Sequence, residues 1–250
     1  MNLTLVLLTA LLLPKQAPAD PQEAKARNLF QQMQAKYTAA KTLTAVTTTK
    51  TYREKDGKKR LTVSVREQFD ARRPSYFREE QLSQKSGQAV HRAETVSDGK
   101  TIWTYEEKDK RYIKTPVGSL LGNFVSSVGA PGDFFLFPEH SDGFTKPNPG
   151  ITLRYLGKEK IAGADCDKIE VQIASPMKEI PASVQTYYLD AKHLVRRLVS
   201  LMKFKDETYT TEIDIQSTAL DKNLPDALFT FNPPPGAVEK ELPKFAPKTP

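Results

Sequence analysis

Three histidines, one cysteine and several neighbouring carboxylates are the side chains here best suited to chemistry, and their spacing limits what they can do. His91, His140 and His193 are scattered, and no HExxH or CxxC run accompanies them, so no metal centre is expected. Ser175-Pro176-Met177-Lys178 spells S-x-x-K. Catalysis by that pattern needs a helix to set the lysine beside the serine, and Pro176 falls between two predicted strands. No GxSxG elbow, P-loop or GxGxxG is present. Glu79-Glu80, Glu106-Glu107 and Asp165/Asp167 stand beside Lys and Arg, where solvated surface charge is the ordinary role. Glycoside hydrolysis would need two acids facing each other in a cleft, and no acid is expected on an apolar face. Cys166 sits in the alternating run ADCDKIEVQI, as a small core residue would, and has no second cysteine to pair with. These residues point to a protein without catalysis, metal or cofactor.

The elements that would position a binding surface are easier to read. PQEAKARNLFQQMQAKYTAAKT places Ala26, Leu29, Phe30, Met33 and Tyr37 at three- and four-residue spacing, which predicts an amphipathic helix. From Leu43 the period becomes two. In RLTVSVREQF, Leu61, Val63, Val65 and Phe69 point one way while Thr62, Ser64, Arg66 and Gln68 point the other. About eleven such runs follow to residue 217, with turn pairs Asp56-Gly57, Ser86-Gly87, Asp98-Gly99 and Ala162-Gly163 between several of them. Strands in succession without alternating helices predict one large, curved antiparallel sheet, an unclosed β-barrel covered by the N-terminal helix. SDGKTIWTYEEKDKRYIKTP reads as a hairpin in which Trp103 and Tyr105 share a face, expected to be the concave one. Between Pro116 and Pro149 the alternation stops, and two apolar clusters appear: Leu120, Leu121, Phe124, then Phe134-Phe135-Leu136-Phe137. A connection this long and apolar serves as a lid or as a plug of ordinary core.

The N-terminus reads as an export signal. Leu3 to Leu13 is unbroken apolar sequence apart from Thr4 and Thr9, too short for a membrane span, and Ala17-Pro18-Ala19 supplies a cleavage site. No basic residue precedes Lys15. The expected organisation is a signal peptide over 1–19, one domain over 20–237, and a Pro- and Lys-rich disordered tail over 238–250. Export places the protein in the periplasm, or outside a cell with a single membrane. The net charge of +7, one unit less without Lys15, suits anionic headgroups or acidic partners. Nucleic acid is not expected, because the basic residues alternate along strands rather than forming a block.

Three stretches carry a family resemblance. They are the S-D-G-x-x-I-W-x-Y hairpin at 97–105, TYYLDAKHLVRRLVSL at 186–201, and ALDKNLPDALFTFNPPPGA at 219–237. Together they resemble the LolA-like superfamily of exported proteins, which includes lipoprotein carriers, their outer-membrane receptor and an envelope sensor. The resemblance implies an apolar cavity between sheet and helices that shields acyl chains of a lipoprotein or related lipid. Side chains expected to line that cavity or its lid are Leu61, Val63, Val65, Phe69, Trp103, Tyr105, Leu120, Leu121, Phe124, Phe134, Phe135, Tyr188, Leu198 and Met202. Carriers of this kind hold the lid with a basic residue inside the barrel, and Lys50, Arg53 and Arg66 are all eligible. The implied partners are an inner-membrane release complex and an outer-membrane acceptor, met by a monomer in transient contact with the membrane surface. The receptor's lipidated cysteine has no counterpart near the signal, and a sensor's second domain is not expected after Phe231. An RseB-like sensor module and an envelope protein with a filled barrel remain as alternatives. Intact mass of protein released from the periplasm is expected to correspond to a chain starting at Asp20; a chain retaining Met1 would refute the signal.

Overall fold

The helix begins where its first turn is best satisfied. In a computed structural model, which describes residues 20–118, 131–175 and 181–241, helix α1 runs Pro21–Ala39. Asp20 caps it by accepting from the Gln22 N–H at 2.9 Å, Pro21 occupies the first turn, where no N–H is needed, and Glu23 and Lys36 complement the helix dipole at opposite ends. Its buried face is Ala26, Leu29, Phe30, Met33 and Tyr37, as the spacing predicts. Arg73 closes the C-terminal end, donating to the carbonyls of Tyr37 at 3.0 Å and Ala40 at 3.1 Å.

Strands β1 (Thr42–Lys55), β2 (Lys58–Arg72), β3 (Tyr76–Lys85), β4 (His91–Asp98), β5 (Thr101–Glu106) and β6 (Arg111–Pro116) form a meander. The insertion contributes short helices α2 (Pro131–Leu136) and α3 (Asp142–Thr145), joined by a 3-10 turn at Pro138–Ser141. A second meander follows: β7 (Ile151–Ile161), β8 (Ala164–Ile173), β9 (Ser183–Leu189), β10 (Val195–Phe204) and β11 (Glu207–Leu220). These are the eleven expected strands. A twelfth, β12 (Val238–Glu239), pairs parallel to β6, so the chain is still ordered where the tail was expected to begin. Val238 and Lys240 each donate a backbone hydrogen bond to β6 or its preceding turn, which supplies the partners a free tail would lack.

The sheet order is β12-β6-β5-β4-β3-β2-β1-β11-β10-β9-β8-β7. Every neighbouring pair except β12–β6 is antiparallel, and β7 and β12 do not pair, so the sheet stays open. The pairing of β1 with β11 joins the two meanders, with Leu43 opposite Leu220 and Lys55 opposite Glu207. Asp56 and Gly57 both take positive φ, 50° and 69°, in the two-residue turn that a right-twisted hairpin prefers.

The core lies between α1 and one end of the concave face. Phe30 meets Phe144 at 4.9 Å and Tyr187 at 5.2 Å between ring centroids, and Tyr37 and Tyr187 both approach Phe134 at 6.1 Å. Gly132 lets α2 rest directly on the Phe69 ring, since a Cβ there would lie 2.8 Å from it. Phe30→Ala is expected to cost about 3–5 kcal/mol of stability, read from urea unfolding, because Phe30 is fully buried among these rings. A loss under about 1 kcal/mol would contradict this packing.

Candidate functional site

Strand β1 displays the concave face in order. Leu43, Ala45, Thr47, Thr49, Thr51, Arg53 and Lys55 share one side of the strand and span about 40 Å at the usual rise per residue. The register carries that face across the sheet: Leu43 opposite Ala71, Thr49 opposite Val65 and Ile213, Arg53 opposite Arg60 and Tyr209. Three zones result.

The first zone is apolar and closed. Leu43, Phe69, Ala71, Phe77, Leu198 and Ile213 are buried with α1 and α2 in one cluster. The apolar cleft left there, between Phe77, Ile102, Val117 and Leu136, measures about 80 Å³. Among the described residues, the space between the helix and this end of the sheet holds the protein's own side chains, chiefly Phe30, Met33, Tyr37, Phe134 and Phe135.

The second zone mixes hydroxyls with short apolar groups. Thr49, Thr51, Val63, Val65, Ser200, Met202 and Thr211 are all half-buried, and the Thr51 and Thr211 hydroxyls meet at 3.3 Å. Glu67 and Glu79 lie on this face and are only 5% and 3% exposed, with Gln81 donating to Glu79. No acid was expected here. Glu67 falls in phase between Val65 and Phe69, a signal that the alternation already contained. The buried Thr47 hydroxyl has no hydrogen-bond partner.

The third zone is the mouth. Arg53, Lys55, Lys58, Arg60 and Lys85 line a pocket of about 560 Å³ at the tip of the β1–β2 hairpin. Glu207 is held between Arg53 and Lys55, accepting from Arg53 Nε at 2.7 Å and from the Tyr209 hydroxyl at 2.8 Å. The hydrogen bond from Arg53 is the main cause that pulls the Glu207 carboxyl down to about 2 from its usual 4.5.

The predicted site residues divide between the two faces. Val63, Val65, Phe69, Leu198 and Met202 lie on the concave side, and Phe134 and Phe135 pack beneath α1. Trp103, Tyr105 and Tyr188 do not. Ile102 takes the concave position, so Trp103 and Tyr105 face outward, where Trp103 stacks on Phe231 at 5.9 Å. Tyr188 faces outward with Ile161 and Cys166, under the Lys168 ammonium. Leu61 leaves the phase of Val63 because a bulge at Thr62 intervenes, and it is 40% exposed beside the mouth. Leu120, Leu121 and Phe124 lie outside the described residues. Of the three eligible basic residues only Arg53 is on the concave face; Lys50 and Arg66 alternate to the other. His91, His140 and His193 stand on β4, the 3-10 turn and the β9–β10 turn and are not brought together, and the lysine of the S-x-x-K run lies outside the described residues.

A family model described as "Predicted periplasmic protein (DUF2092)" matches residues 26–242, from α1 to just past β12. The chain belongs to this family. No curated protein matches it significantly. Among solved structures, an uncharacterized conserved protein from Thermus thermophilus is similar at 13% identity, TM-score 0.48, over 86% of this chain and 99% of that one. LprF from Mycobacterium bovis follows at 13% identity and TM-score 0.47, over 81% and 96%. A LolA superfamily protein from Nitrosomonas europaea is similar at 11% identity and TM-score 0.35, over 82% and 97%. These likenesses are too distant to carry a function.

Two outcomes follow from the geometry of this family member. Trp103→Ala is expected to lower stability by roughly 1–3 kcal/mol in urea unfolding, through lost packing on Phe231. Acyl-peptide affinity should not change, and a loss of affinity at unchanged stability would contradict the outward placement. Glu207 has a folded-state pKa below its unfolded value, so its contribution is complete above about 4.5 and is lost as pH falls towards about 2. Glu207→Gln is therefore expected to flatten the acid limb of a melting-temperature profile in that window, and an unchanged acid limb would refute the pairing.

Proposed function

We propose that this protein is a non-enzymatic periplasmic binding protein that holds acyl chains of a lipoprotein or related lipid against the open part of its concave face. The observation that supports this most is the change along that face, from packed apolar core through half-buried Val63, Val65 and Met202 to a basic mouth. Such a gradient suits an amphipathic ligand whose chains point towards the core. Each methylene removed from water contributes roughly 0.8 kcal/mol, so partial shielding of a chain offsets much of the cost of its leaving a membrane. Because the first zone is already filled, the chain would lie along the second, against Val63, Val65 and Met202. On this reading the signal is removed near Ala19, residues 20–237 form the binding domain, and the protein travels as a monomer from an inner-membrane release complex to an outer-membrane acceptor.

A second reading has one observation in its favour. The filled apolar end, with Phe30, Tyr37, Phe134 and Phe135 fully packed, also suits an envelope protein whose sheet is simply closed by its helices. Native mass spectrometry of the chain from Asp20 to Pro250 with a triacylated peptide separates the two. Binding by the wild type, weakened at least tenfold by Val65→Arg at an unchanged melting temperature, is the carrier's expected result. No binding by the wild type would leave the filled sheet as the function of the fold.

A further inference from the structure

The mouth pocket has a construction that solubility alone does not explain. Across the β1–β2 ladder, Arg53 stands directly opposite Arg60, and Lys55 directly opposite Lys58. Two successive like-charge cross-strand pairs oppose folding of the hairpin. The Asp56-Gly57 turn is only two residues long, so it holds Lys55 and Lys58 in that register and leaves them no slack to separate. A fifth cation is added from β3. The Ser86 N–H donates to the Thr62 carbonyl at 3.0 Å, and the Thr62 hydroxyl donates to the Thr51 carbonyl at 2.8 Å. These bonds tie the end of β3 to the bulge and bring Lys85 to the same pocket.

Acids relieve only part of this charge. Asp206 of the β10–β11 turn and Glu207 at the start of β11 pair with Arg53 and Lys55. Lys58, Arg60 and Lys85 have no ion-pair partner among the described residues, and Asp56 is the one carboxylate in the lining. The neighbouring Lys59 points to the other face and pairs with Glu212, so acids within reach are used where they balance a charge. What remains is a planar guanidinium and two ammonium groups among the residues that line a space of about 560 Å³. A guanidinium meets two phosphate oxygens at once and an ammonium meets one, so the three together fit a tetrahedral oxyanion. The volume is well above that of a bare ion and falls in the range of small-molecule sites.

We infer that this mouth pocket is a binding site for a phosphate group, with Lys58, Arg60 and Lys85 as its ligating cations and an anionic phosphodiester lipid headgroup as the species that fills it. The phosphate site stands on its own geometry; its link to a lipid rests on the acyl-binding reading above. The headgroup would sit at the tip of the sheet while the chains run along β1 and β2 towards Val63 and Val65. Binding then neutralises the like-charge pairs that folding leaves opposed, so the ligand should stabilise the hairpin as well as be held by it.

Calorimetric titration of the chain from Asp20 to Pro250 tests the site with three probes: inorganic phosphate, glycerophosphoglycerol, and dihexanoylphosphatidylglycerol below its micellar concentration. The comparison is with the triple variant Lys58→Gln, Arg60→Gln, Lys85→Gln, whose melting temperature without ligand should equal or exceed the wild type's. Wild-type affinity is expected to fall at least tenfold in the variant and to weaken as NaCl is raised from about 50 to about 300 mM. Phosphate binding as tightly as the lipid would support the site with free phosphate as its source. Tighter binding of the two glycerol esters would support the headgroup. Binding of glycerophosphoglycerol without any binding of triacylated peptide would keep the site and remove the acyl reading. Triacylated peptide binding with equal affinity of wild type and variant for all three probes would do the reverse. Absence of binding by every probe also overturns the site.

Discussion

A sheet of twelve strands that does not close has two faces to protect, and the concave one cannot be covered by its own strands. Helix α1 supplies the cover, and its length decides how far the cover extends. Its apolar stripe of Ala26, Leu29, Phe30, Met33 and Tyr37 reaches only the end of the sheet where β1 begins. Under it the strands present Leu43, Phe69, Leu198, Ile213 and Tyr187, and beyond it the same strands turn to threonine, serine, valine and finally lysine and arginine. The polarity of each strand follows from whether a helix lies over it. Removing water from an aromatic cluster stabilises the first zone, and among the described residues no helix lies over the second and third, where polar groups keep their contact with water.

The outer face is secured by a different part of the chain. After β11 the chain crosses back over β3 to β6, where Phe229 meets Tyr76 at 5.8 Å and Phe231 meets both Trp103 and Tyr112. Arg72 extends the stack, lying over the rings of Tyr76 and Phe229. The hairpin motif with Trp103 and the final motif with Phe229 and Phe231 are thus two sides of one contact, which explains why they occur together although far apart in the chain. The sheet's edges are guarded as well. Strand β12 is two residues long, and β7 carries Lys158, Glu159 and Lys160 after a bulge at Leu156, features that discourage pairing with a second sheet.

Electrostatics concentrates at the hairpin tips, furthest from the core. The β10–β11 turn brings Asp206 and Glu207 against Arg53 and Lys55, and the Arg53 pairing lowers the Glu207 pKa. These exposed ion pairs add little stability individually. Their effect is to fix the relative position of two hairpins that come from different meanders, so that the mouth has a defined shape.

The amino-acid sequence by itself determined α1 and the eleven long strands, because period and turn chemistry are local. Spacing in 21–39 showed α1, alternation showed eleven strands, and Asp56-Gly57 and Ala162-Gly163 marked tight turns with positive φ. Alternation also showed which residues share a face along one strand, and Val63, Val65 and Phe69 lie together as it implied. It could not show which of the two faces is concave, since both faces of β5 carry apolar residues. Ile102 and Trp103 are adjacent, and only packing against Phe77 on one side and Phe231 on the other assigned them. One inserted residue at Thr62 moved Leu61 out of phase, a change that depends on the partner strand and has no local signature. The mouth pocket is the clearest case. Lys58, Arg60 and Lys85 look like ordinary surface charge in the sequence, and only cross-strand register and a long-range backbone bond to Thr62 gather them in one place.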